Sequence, residues 1–153
     1  MKLLASHDHV PAAEGQTAIV ALANDTDPRT LPLEGVTRID LNFPKFTDGR
    51  AFSQAFLLRR RLGFKGEIRA TGDVLIDQLV QMQRSGFDVA VLREGVKADA
   101  AQRQFDRFKG FYQGDAVHVV PHFAEAENTP TQAALAAADA AAYAVELDRQ
   151  NAA

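Results

Sequence analysis

Two short stops, Leu62-Gly63-Phe64 and Ser85-Gly86-Phe87, each end an amphipathic helical stretch and hand the chain to a strand-like run. A left-handed glycine followed by an apolar residue that folds back on the last turn is a common way to end a helix. Two successive copies of helix, stop and strand constrain this chain more than any other feature. Strands that alternate with helices build a parallel sheet with right-handed crossovers. Two copies are too few to make a repeat protein.

The elements expected around those stops follow from pattern. Thr17 to Ala23 is a short apolar run closed by the turn chemistry of Asn24-Asp25-Thr26-Asp27-Pro28. Val36 to Phe43 is an alternating strand that ends at Pro44. Asp48 is placed to cap a helix from about Gly49 to Leu62, in which Ala51, Ala55, Leu58 and Leu62 recur at three- and four-residue steps. The strand Glu67 to Thr71 leads through Gly72 into a helix capped by Asp73, with Leu75, Ile76, Leu79, Val80 and Met82 inward. A strand from Asp88 to Leu92, a helix near Ala98 to Phe108, and Ala116 to Val120 as a fifth strand complete the pattern. The expected fold is α/β, a single domain with a small, mainly parallel sheet of 4–5 strands and crossover helices. Residues 1–15 read as an irregular lead-in, 16–123 as the α/β domain, and 124–153 as a C-terminal Ala-rich helix or tail with a weak stripe of Leu135, Ala138, Ala142 and Val145.

Composition narrows the function classes. A chain of 153 residues has the length of one domain, and folding at that size buries about 68 to 70% of the unfolded surface. Cysteine is absent, so the chain forms no disulfide and supplies no thiolate for an iron–sulfur cluster, thiol redox chemistry or a Cys-type zinc site. A net charge of -3 with one short basic run, Arg59 to Arg61, argues against a nucleic-acid partner. Met1 to Ala5 starts like a signal peptide, but Ser6-His7-Asp8-His9 ends the apolar run before an h-region of about 7 to 15 residues forms. No stretch reaches membrane-spanning length. The expectation is a cytoplasmic protein with no membrane partner.

The sheet carries an anomaly. Strands of a parallel sheet covered on both faces are near-continuously apolar, yet here Arg38, Asp40 and Asn42, then Glu67, Arg69 and Thr71, hold alternate positions. One sheet face is therefore polar. Burying an unpaired charge costs several kcal/mol, so these groups must pair with one another, face water, or meet a ligand or partner.

Topology supplies a second candidate. Loops that follow parallel strands collect on one edge, where ligands usually bind. That edge gathers Lys45, Asp48, Gly49 and Arg50, then Gly72 and Asp73, then Arg93 to Gly95. Helix N-termini beside cations can hold a small anion, although the simpler reading is that Asp48 and Asp73 cap those helices themselves. There is no Gly-x-Gly-x-x-Gly fingerprint and no Walker loop. His7 and His9 fall in the lead-in, and His118 and His122 flank Val119-Val120-Pro121, so no metal and no cofactor are assigned. Ser6, Ser53 and Ser85 lack a hydrolase motif.

The combination Phe43-Pro44, Phe46, Asp48-Gly49-Arg50, Phe52-Ser53, Arg61-Leu62-Gly63-Phe64, Gly66-Glu67, Arg69-Ala70, Gly72-Asp73-Val74-Leu75, Asp77-Gln78 and Gly86-Phe87-Asp88 resembles a bacterial family of unknown function, numbered nine hundred and thirty-four among such domains. Its members are often labelled "oxidoreductase probably involved in sulfite reduction". The resemblance covers roughly residues 17 to 113. It implies a cytoplasmic accessory of assimilatory sulfate reduction, with sulfite reductase or another enzyme of that assimilation as partner. It brings no established catalytic residue.

Three readings stand at this point. The preferred one is an accessory or binding module, with Lys45, Arg50, Arg69, Asp73 and Arg93 on the ligand or partner surface and Asp48 fixing the loop that presents Arg50. A second is a small enzyme acting on an anionic metabolite, with Asp73 or Asp48 as general base and Arg50 and Arg69 as clamp. The third makes the polar sheet face a homodimer seam.

Overall fold

Among the described residues five parallel strands form one sheet, and their order explains where the crossover helices lie. The structure is a computed structural model that describes residues 1–13, 15–107 and 110–125. Along the chain come β1 (Lys2–Ala5), β2 (Ile19–Leu22), β3 (Arg38–Phe43), α1 (Arg50–Arg60), β4 (Glu67–Gly72), α2 (Leu79–Ser85), β5 (Val89–Leu92) and α3 (Ala98–Arg107). All pairings are parallel, in the order β1-β5-β4-β3-β2. The chain divides into two compact units, Met1–Pro121 and His122–Ala153. Of the second, the described part is the short helix His122–Glu125. The expected Ala-rich helix and its stripe lie outside the described residues, as does Phe108.

From β2 to β5 each strand is added on the same side of the one before it. Right-handed crossovers taken always in one direction put their helices on one face of the sheet. Accordingly α1 contacts α2, and α2 contacts α3. The core lies between that helical layer and the sheet: Ile39, Leu41, Phe43, Ile68, Ala70, Ala90 and Leu92 face Ala51, Ala55, Leu58, Leu79 and Met82.

Both expected stops hold. Gly86 adopts φ 106°, a conformation side chains with a Cβ resist, and Phe87 N–H donates to the Met82 carbonyl 3.1 Å away. Phe64 N–H likewise donates to Leu58, at 2.9 Å. The basic run is partly spent on these ends. The Arg59 guanidinium donates to the carbonyls of Gly86, Phe64 and Gly66 and pairs with Asp88.

The edges of the sheet differ from the sequence reading in two places. The fifth strand is Lys2–Ala5, within the stretch read as an irregular lead-in, and it extends the sheet beside β5. Strand β5 is buried along its whole length and would otherwise leave one row of backbone groups unpaired in the interior. Ala116 to Val120, expected as the fifth strand, forms none. There one oxygen of the Asp115 carboxylate accepts from Val117 N–H at 2.8 Å and from His118 N–H at 2.7 Å, which closes a local turn. Such side-chain bonds compete with a sheet ladder.

The connection from β1 to β2 runs the other way, from one edge of the sheet to the opposite edge, a lateral distance of about 19 Å for four strand spacings. The handedness that places the helices on one face therefore places residues 6–13 and 15–18 on the other. Arg38 donates to the Val10 carbonyl at 2.7 Å, and His9 approaches Asp40 at 3.7 Å. A strap crosses the helix-free face. The polar face of β3 and β4 is thus the side on which no crossover helix packs.

Candidate functional site

Residues on the helix-free face satisfy one another along each strand. Arg38 grips Asp40 with two bonds of 2.9 and 3.0 Å, and Arg69 pairs with Glu67. The Arg69 guanidinium also lies 3.4 Å from His9 Nδ1. His9, assigned to a loose lead-in by the sequence, is instead packed among Asp40, Arg38 and Arg69 with only 13% of its side chain exposed. Loss of water pushes its pKa below the usual imidazole value, Asp40 pulls it back up, and the two arginines add to the lowering.

At the carboxyl ends of the strands the loops form a rim, and here the structure joins the candidate residues into two pairs. Asp48 accepts from Arg50 Nε at 3.0 Å and Nη2 at 2.7 Å, and from Asn24 Nδ2 at 2.7 Å. These bonds, Arg50's foremost, hold the Asp48 carboxyl down at about 2. The helix itself starts at Arg50 with Gly49 at its cap position, so Asp48 fastens a side chain more than it caps a helix, its one backbone bond being 3.3 Å from Arg50 N–H.

Asp73 departs from its expected role as a cap. A short 3₁₀ turn, Ile76–Gln78, separates it from α2, which begins at Leu79. Gly72 turns the chain at φ 86°, where an added Cβ would collide with the Phe43 carbonyl oxygen, and Asp73 N–H donates to that carbonyl at 2.7 Å. The Asp73 side chain is thereby aimed at the neighbouring loop. One oxygen accepts from Phe46 N–H at 2.9 Å and the other from Arg93 Nη1 at 2.7 Å. Gln78 Nε2 donates to the Phe46 carbonyl at 3.1 Å. The backbone of Phe46 is thus clamped from both sides while 47% of the residue stays exposed.

The remaining candidates separate. Lys45 is exposed beside Phe46 and forms no ion pair among the described residues. Arg69 stands three residues before the end of β4, about 10 Å below the rim, on the helix-free face. Arg50 and Arg69 therefore do not form one clamp. Two open clefts flank these groups. One, about 420 Å³, is lined by Leu75, Ile76, Asp77, Arg93, Val96 and Lys97 among others. The second, about 380 Å³, lies on the helix-free face against His9, Asp40, Asn42 and Thr71. Phe46, Gln78, Lys97 and Asn24 are the site residues that sequence reasoning passed over. Among the described residues, no three His, Cys, Asp or Glu side chains group as a metal site, and no helix is long and apolar enough to cross a membrane.

Chemically, the rim offers oriented guanidinium groups and an anchored aromatic ring more readily than a base. A carboxylate held at about 2 is ionised at neutral pH but too weak to abstract a proton efficiently. Both Asp73 oxygens already accept hydrogen bonds.

Residues 19–123, which include the rim and both paired carboxylates, match the family described as "Bacterial protein of unknown function (DUF934)". The chain belongs to DUF934. Within this DUF934 chain, β1 and the strap precede the matched stretch, which opens at β2. No curated protein and no solved structure matches the chain.

Proposed function

We propose that the chain is an accessory or binding protein of assimilatory sulfate and sulfite reduction, and that it acts with sulfite reductase through its strand-end rim. Lys45, Asp48, Arg50, Asp73 and Arg93 make up that surface, with Phe46 at its centre. The tie to sulfite reduction rests on the label often given to the family that the chain resembles. The preference for an accessory over a free-standing redox enzyme rests on a chain without cysteine.

One observation carries the choice of surface: Phe46 is exposed on a loop whose backbone is bonded on both sides, on a rim whose loops carry two arginines each oriented by its own carboxylate. Aromatic and arginine side chains are enriched in the cores of protein interfaces, and a preorganised loop loses little entropy on docking. Arg69 lies apart from this surface and belongs to the ion pairs of the helix-free face.

The test is co-purification of sulfite reductase on immobilised protein, with reductase turnover measured alongside. Wild type retains the reductase, Phe46→Asp loses it, and Lys65→Glu, an exposed change before β4, does not. Failure of wild type to retain the reductase, together with unchanged turnover, overturns the reading.

A further inference from the structure

The 420 Å³ cleft lies between the turn after β4 and the turn after β5, and its lining combines two chemistries. Leu75, Ile76, Val96 and Ala100 give it apolar walls, while Arg93 and Lys97 bring cations to its lip. A concave, mostly apolar site with a few placed polar groups is the usual form of a small-ligand pocket, and this volume falls in the lower half of the range of about 300 to 1,000 Å³ for such pockets.

The two cations are held differently. Arg93 spends Nη1 on Asp73, which is itself fixed by Phe46 N–H, so the guanidinium is oriented with further donors to offer. Lys97 is exposed and forms no ion pair among the described residues. Asp77 also lines the cleft, and Asp73 stands behind Arg93. Two cations and two carboxylates leave the cleft without net charge, which disfavours a dianion, while Lys97 and the free donors of Arg93 remain available to a singly charged head.

From this juxtaposition we infer that the cleft binds a monoanionic carboxylate carried on an apolar body, with Lys97 and Arg93 holding the head and Leu75, Ile76 and Val96 the body. The inference rests on the reading of the rim as a binding edge and names what one part of that edge takes. A free organic acid and the terminal carboxylate of a peptide ending in an apolar residue share this chemistry.

Calorimetric titration with hexanoate, hexanamide, inorganic sulfate, and a leucine-terminated pentapeptide as free acid and as amide tests it. Hexanoate or the free-acid peptide binds saturably, and hexanamide, the peptide amide and sulfate bind at least tenfold more weakly. Lys97→Gln weakens the carboxylate at least tenfold, and Lys97→Arg restores most of the affinity. Binding of hexanoate points to a free metabolite, and binding of the peptide alone points to a chain terminus; both support the inference. It is overturned if no carboxylate probe binds, if hexanamide matches hexanoate, or if Lys97→Gln binds like wild type. The titration reads the cleft and co-purification reads the reductase, so either can fail without the other.

Discussion

Asp40 is 4% exposed on the sheet face without crossover helices, and it is tolerated there because Arg38 supplies two charge-assisted bonds along the strand. Removing one member of a buried pair leaves the other charge uncompensated and costs about 3 to 5 kcal/mol. Asp40→Ala should therefore lower the free energy of urea unfolding by about that amount. Asp27→Ala, which breaks the solvent-screened pair with Arg29, should change it far less.

His9 adds a pH dependence. Its folded pKa lies below the unfolded value near 6.5, so the unfolded chain takes the proton first as pH falls. The contribution is present in full above about 6.5 and is lost as pH drops through the folded value. His9→Gln should flatten the fall in thermal stability between roughly pH 7 and 5. Asp48 gives a spectroscopic check on the rim. Its carboxyl should titrate at about 2 by NMR and move up toward 3.8 in Arg50→Gln.

Among the elements, those written in local pattern were legible. The alternation Ile39, Leu41, Phe43 marks the buried side of β3, and the two glycine stops mark the ends of α1 and α2. Strand β1 was not, because four residues show no periodicity and their strand character comes from pairing with β5. Asp73 reads as a cap in sequence, whereas its partners, Phe46 and Arg93, lie 27 and 20 residues away. The polar alternation in β3 and β4 was visible, but its cause is the strand order, which only the fold supplies. The turn at Gly72 connects these scales. Gly72→Ala forces a Cβ onto the Phe43 carbonyl at positive φ and should destabilise the fold by more than about 2 kcal/mol. It should also displace Asp73 and so free the Phe46 amide for rapid hydrogen exchange.

At the scale of the molecule, one direction of strand addition sorts the chemistry. It gathers the helices and the core on one face and sends the return strap over the other. The rim is left as the edge where three loops converge. The functional assignment rests on that edge being an interaction surface. Amide hydrogen exchange of the chain, recorded with and without purified sulfite reductase, is the sharpest check. Exchange should slow across residues 44–50, 72–78 and 93–97, with residues 63–66 at the opposite ends of the strands unchanged. Exchange that is identical in the presence of the reductase, or slowed only away from those three loops, contradicts the assignment.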